Sequence, residues 1–134
     1  MADIQALEGK ARWVRREALE MAVRAGKGHL GGAFSCVDII VALYYGGLLR
    51  VDPKEPHRKD RDRFILSKGH AALALYPVLA DVGYFPREKL DTFCRAGSFL
   101  KGHPDRGVPG IESDTGSLGH GLGVGAGIAL HGML

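Results

Sequence analysis

Six histidines are present, and four of them follow a glycine: His29, His70, His103 and His120. All four fall at turns or element ends, where functional side chains concentrate. A glycine before an imidazole lets backbone come close to whatever the ring touches. Three readings are open. These can be ordinary loop histidines, exposed or hydrogen-bonded. They can form a zinc site, although no pair has the short helical spacing or the cysteine company that such sites show. Or they can line an active site for an anionic or polyhydroxylated ligand, because imidazoles near neutral pH relay protons and bind hydroxyls and phosphates.

A second feature is the run Asp114-Thr115-Gly116-Ser117-Leu118-Gly119-His120-Gly121-Leu122-Gly123-Val124-Gly125-Ala126-Gly127-Ile128-Ala129-Leu130. Glycine stands at every second position from 119 to 127, interleaved with Leu, Val and Ala rather than with the serine of a flexible linker. At helical spacing, Gly121 and Gly125 share one face and Gly123 and Gly127 another. Each interior glycine costs a helix roughly 1 kcal/mol relative to alanine. Close approach of another backbone or of a ligand is the usual compensation. A glycine-rich turn opening such a helix also suits an anion, because free N–H groups point outward there.

The elements that must position these residues follow from periodicity. Ile4, Leu7, Ala11, Val14, Ala18, Met21, Ala22 and Ala25 predict an amphipathic first helix, ended by Gly26. Residues 27–32 read as a loop. Ser35 and Asp38 have the form of a capping box opening a second, largely buried helix through Tyr45. Phe64-Ile65-Leu66 reads as a buried strand, leading through Ser67-Lys68-Gly69-His70 into an alanine-rich helix that Gly83 ends. Pro77 either kinks that helix or starts a second segment. Pro86 is placed to start a short helix over residues 87–94. Residues 95–114 read as loop, and the glycine-rich helix follows. The strand–turn–helix element predicts an α/β domain with a parallel sheet.

Composition narrows the class. The chain has 134 residues, 46% of them hydrophobic and 25% charged, with a net charge of +3, which suits one globular domain. Residues 50–63 carry six basic and four acidic side chains, a mixture that reads as a solvated loop rather than a nucleic-acid patch. Cys36 and Cys94 lie far apart with no secretory signal before them, which predicts free thiols in a reducing cytoplasm. The apolar runs are too short to span a bilayer, so no membrane association is expected.

Four motifs taken together carry a resemblance. Gly28-His29-Leu30-Gly31-Gly32, Asp62-Arg63-Phe64-Ile65-Leu66-Ser67-Lys68-Gly69-His70-Ala71, Lys101-Gly102-His103-Pro104-Asp105 and Thr115-Gly116-Ser117-Leu118-Gly119-His120-Gly121-Leu122 resemble, in order and spacing, the thiamine-diphosphate-binding half of transketolase. The resemblance covers nearly the whole chain. Gly-Ser-Leu-Gly-His-Gly-Leu is the form usual in separately encoded N-terminal subunits of split transketolases. Lys68 stands where many full-length enzymes carry Asn.

The resemblance implies a thiamine-diphosphate fold of the PP type, a parallel sheet flanked by helices, of which residues 1–134 form the helix-rich N-terminal part. It implies transfer of a two-carbon ketol unit from a ketose phosphate to an aldose phosphate. By the matched positions, His70 contacts the cofactor's diphosphate, and Gly116, Ser117 and Leu118 line the cofactor. His29 serves proton transfer at the acceptor carbonyl, and His103 binds hydroxyls of the donor. The family's Mg²⁺ is held by a Gly-Asp-Gly strand end and a later Asn, neither of which is in this sequence, and the chain stops inside the helix that precedes that strand. The activating glutamate belongs to the other half of the enzyme. The expectation is therefore an incomplete catalyst, which needs a C-terminal subunit or domain and works as a homo- or hetero-oligomer. Two alternatives stand beside it. One is an enzyme like 1-deoxyxylulose-5-phosphate synthase, which shares the Gly-His-Leu-Gly loop. The other is a non-catalytic interaction module of the same fold.

Overall fold

The computed structural model describes residues 3–133. Its order is α1 (Ile4–Ala25), α2 (Leu30–Phe34), α3 (Val37–Tyr45), a 3₁₀ turn (Gly69–Ala71), α4 (Ala72–Val82), a second 3₁₀ turn (Arg87–Thr92) and α5 (His120–Met133). The first helix begins where the Asp3 carboxylate accepts from the Gln5 amide, and it stops at Gly26, whose φ of 65° breaks the helical path. Its apolar stripe buries Ala11, Val14, Ala18 and Met21 against α3 and α4. Helix α4 is the centre of the molecule: every residue from Ala72 to Ala80 is buried, and Gly83 closes it at φ 103°. The helix runs on through Pro77 as one element. Phe85, Leu90, Phe93, Leu100 and Val108 come from the long connection that follows and complete the same core. Asp81, nearly buried on α4, ties that helix to three other elements. Its carboxylate accepts from Lys10 of α1 at 2.7 Å and from the Tyr45 hydroxyl of α3 at 2.6 Å, and it pairs with Arg87.

Several local expectations are corrected. Residues 30–32, expected as loop, belong to the helix over 30–34: the Ala33 amide bonds to the His29 carbonyl, and Ala33 is fully buried, so tertiary packing overrides the low helix propensity of Gly31 and Gly32. Ser35 is not a cap. Its hydroxyl donates to the Gly32 carbonyl at 3.0 Å, and Asp38 reaches out to Arg15 at 3.1 Å, so α3 opens at Cys36 with no side-chain cap. Nor is α3 buried all round, since Ile39 is exposed. The short helix after Pro86 is 3₁₀, with Pro86 just outside it. Residues 64–66 have no regular secondary structure, the Ser67 amide donating back to the Ile65 carbonyl at 3.0 Å, and no strand is present among the described residues. A strand needs a neighbour to share its hydrogen bonds, and these residues lie beside α5 instead. There the Gly121 amide donates to Ser67 Oγ at 3.0 Å.

The two glycine faces of α5 differ. A Cβ on Gly121 would sit 2.7 Å from the Ser67 Cβ, and one on Gly125 would touch Ile65 at 3.5 Å. Around Gly123 and Gly127 nothing lies within 4 Å. The expected close approach therefore holds on one face only. Leu122, Leu130 and Met133 are largely exposed.

The charged loop is laced with its own ion pairs, Arg50 with Asp62 and Arg58 with Glu55 and Asp60, and is tied to the segment before the glycine-rich helix by Arg61 with Glu112. Cys36 and Cys94 are free, and burial pushes both thiols up. No helix among the described residues is long and apolar enough to cross a membrane.

Candidate active site

Three segments bring three histidines to one place. His29 stands at the entry to α2, just after Gly28, whose φ of 141° is open to glycine and strained for other residues. A side chain on Gly28 would also strike Leu73 of α4, with its Cβ 2.6 Å from the Leu73 Cδ1. His70 sits in the 3₁₀ turn that leads into α4, close beneath Gly32 of α2. His103 lies in the long connection, which is pinned from below. The buried Tyr76 of α4 directs its hydroxyl at the Lys101 and His103 carbonyls, at 2.9 and 3.0 Å.

The ring centroids are 4.5 Å apart for His70 and His103, 4.9 Å for His29 and His70, and 5.5 Å for His29 and His103. One ring nitrogen from each lies within 4.8 Å of the others. His29 is exposed and the other two are half-buried. Burial, and then the neighbouring His70 and His29 rings, hold the His103 imidazole below the ordinary histidine range, favouring its neutral form.

The segment 115–116 forms the far wall. Gly69 is packed so tightly against it that an added Cβ would lie 2.3 Å from the Thr115 carbonyl oxygen. The Gly116 backbone lies over His103, its Cβ position 3.6 Å from the ring. Two buried polar atoms at this junction have no partner, His70 Nδ1 and Thr115 Oγ1. Unmet buried groups of this kind cost about 1–3 kcal/mol each unless a ligand or water satisfies them.

Of the residues singled out from sequence, His29, His70, His103 and Gly116 come together. Ser117 and Leu118 follow Gly116 in the chain and are exposed, Leu118 at 63%. Two contributors went unnoticed in the sequence. Thr115 stood inside a recognised motif, one residue before Gly116. Tyr76 had no local signal, because within an apolar helix it reads as core. A cleft of about 500 Å³ is lined by His57, Arg61, Tyr84 and residues 106–112, and none of the three clustered imidazoles borders it.

Fold and site together define a helical domain that presents clustered imidazoles and unpartnered polar atoms beside a glycine-backed wall. Residues 8–133 match the family model described as transketolase, thiamine diphosphate binding domain. The chain belongs to that family. It is 45% identical over 127 residues to an apulose-4-phosphate transketolase subunit of Phocaeicola vulgatus, a match that covers 95% of this chain and 45% of that protein. A 6-deoxy-6-sulfo-D-fructose transketolase subunit from a Clostridium species is 45% identical over 125 residues, again covering 45% of that protein. The transketolase of Mus musculus is 37% identical over 131 residues, 20% of its length. Among solved structures, transketolase from Campylobacter jejuni superposes with a TM-score of 0.82 at 34% identity, over 90% of this chain and 19% of that one. The Pichia stipitis transketolase in complex with sedoheptulose-7-phosphate gives 0.82 at 36% identity, over 92% and 18%. The chain thus spans less than half the length of these relatives.

Proposed function

We propose that this chain is the N-terminal, thiamine-diphosphate-binding part of a cytoplasmic transketolase, acting with a C-terminal subunit or domain in an oligomer. The reaction is transfer of a two-carbon ketol unit between sugar phosphates. The observation that carries this reading is the convergence of His29, His70 and His103 on a wall whose buried His70 Nδ1 and Thr115 Oγ1 lack partners. These atoms suit the diphosphate: a ring nitrogen and a hydroxyl can both donate to its oxygens. Gly116, Ser117 and Leu118 line the rest of the cofactor. When bound, thiamine diphosphate supplies the carbanion stabilisation that the transfer needs.

The chain's residues position and transfer protons. His103, biased to its neutral form, can accept a hydrogen bond from a donor hydroxyl at one nitrogen and give one at the other. His29, exposed at the mouth, is free to move a proton at the acceptor carbonyl. Mg²⁺ fits this site poorly, because it takes oxygen ligands and three imidazoles offer only nitrogen. In this reading its ligands, and a parallel sheet of the PP type alongside residues 64–66, belong to the remainder of the enzyme.

The test is reconstitution with the C-terminal part, followed by ketol-transfer kinetics and thiamine diphosphate titration. His70→Ala is expected to weaken cofactor binding by about 10- to 100-fold, the loss of one hydrogen bond to a charged group. His29→Ala and His103→Ala are expected to lower kcat by about 100-fold or more with cofactor affinity kept. Equal loss of cofactor affinity in all three variants would refute the division of roles. Turnover by the chain without any partner would refute its dependence on one. Activity on pyruvate in place of a ketose phosphate would favour the 1-deoxyxylulose-5-phosphate synthase alternative. Lack of any cofactor-dependent thermal shift with the partner present would favour the interaction module.

A further inference from the structure

We propose that His29, His70 and His103 form a three-imidazole site for a borderline-soft divalent transition metal, of which Zn²⁺ is the natural probe, with a fourth position left open. The three residues are scattered along the sequence and lack the short helical spacing of a zinc motif, yet the fold sets one ring nitrogen from each within 4.8 Å of the others. In a tetrahedral zinc centre the nitrogens lie about 2.0–2.1 Å from the ion, hence about 3.4 Å from each other. The contraction needed is about 1.4 Å at most: rotation of the exposed His29 closes its own two gaps, and rotation of His70 or His103 closes the gap between those two rings.

The surroundings favour an ion. Coordination needs an imidazole lone pair, and the His103 ring lies 4.5 Å from that of His70 and 5.5 Å from that of His29. Lys68, next to Gly69 and His70 in sequence, has its ammonium engaged with Ser35 Oγ at 2.7 Å. His70 Nδ1 is buried without a partner, so no hydrogen bond through that atom fixes the ring. Imidazole nitrogen selects Zn²⁺, Cu²⁺ or Ni²⁺ over Mg²⁺ and Ca²⁺. Neither cysteine belongs to the group: the Cys36 thiol points at the Gly32 and Ala33 carbonyls of α2. Because these imidazoles are those assigned above to cofactor and substrate, a bound ion would also compete with them, a consequence that rests on that reading; metal binding itself does not.

The experiment is titration of the chelator-stripped chain with Zn²⁺ by calorimetry and with Co²⁺ by visible absorption, in a buffer free of phosphate. The expected result is one ion per chain, with cobalt bands of a four-coordinate nitrogen and oxygen site that Zn²⁺ abolishes. His29→Ala, His70→Ala and His103→Ala are each expected to weaken binding at least about 100-fold, the upper end of the loss from a mere outer-shell change. His57→Ala and His131→Ala, outside the cluster, are expected to bind as wild type. His29 is exposed, so its variant tests the site even where the other two disturb folding. No saturable binding, a thiolate-to-cobalt charge-transfer band, or binding undiminished in His29→Ala would overturn the proposal. Thiamine-diphosphate-dependent thermal shift, measured with chelator and Mg²⁺ and the C-terminal part present, reports separately on the cofactor reading.

Discussion

Replacing Gly69 by alanine adds one methyl group at the seam between His70 and the wall of the site. The new Cβ would lie 2.3 Å from the Thr115 carbonyl oxygen, 2.6 Å from its carbon and 2.8 Å from its hydroxyl. Moving from 2.3 Å to ordinary contact at 3.4 Å demands a displacement of about 1.1 Å. Two of the three neighbours are backbone, so no rotamer change relieves the clash. Gly69 sits in a 3₁₀ turn and has no positive φ, so alanine suits its backbone and the penalty is steric alone. Overpacking of this kind costs about 1–3 kcal/mol. Gly123→Ala is the matched control. It lies inside α5 with nothing within 4 Å, and the gain in helix propensity is about 0.5–1 kcal/mol. Urea unfolding followed by far-ultraviolet circular dichroism should therefore move the two variants in opposite directions, about 1.5–4 kcal/mol apart. Histidine ring resonances of His70 and His103 should shift in Gly69→Ala and stay put in Gly123→Ala. A Gly69→Ala protein within about 0.5 kcal/mol of wild type, or a destabilised Gly123→Ala, would refute the packing described for this seam.

Tyr76→Phe removes the hydroxyl that bonds to the Lys101 and His103 carbonyls, and should cost about 1–2 kcal/mol in urea unfolding while broadening the His103 resonances. Arg61 and Glu112, both largely shielded, join the charged loop to the segment leading into the site. Arg61→Met should cost about 2–3 kcal/mol by stranding the carboxylate, and adding Glu112→Gln should recover part of that loss in a double-mutant cycle. For His103, whose folded-state affinity for a proton is depressed below the ordinary value of 6.5, the unfolded chain binds the proton more readily. Its contribution to stability is therefore intact above pH 6.5, declines as pH falls below that value, and levels off once pH is below the folded pKa. Urea midpoints across that range should show the decline, and His103→Asn should flatten it; an unchanged slope would contradict the burial of this ring.

Much of the local structure is legible in residue order because its causes are local. The apolar stripe from Ile4 to Ala25 and the glycines at 26 and 83 mark α1 and the end of α4, since amphipathic spacing and a left-handed C-cap act over a single turn. The four Gly-His motifs and the glycine-rich run point to the chemistry and the family for the same reason. What the order of residues leaves open is which partner each group meets. Residues 30–34 wind into a helix because Ala33 enters a core built by α1 and α4. Residues 64–66 stay outside any strand because α5, rather than a strand, lies against them. Three of the four glycine-preceded histidines converge while His120 opens α5, and the two faces of that helix divide into one packed and one bare. Periodicity reports on neighbours along the chain; only the packing of distant elements around α4 sets three imidazoles within bonding reach of one ion or one ligand.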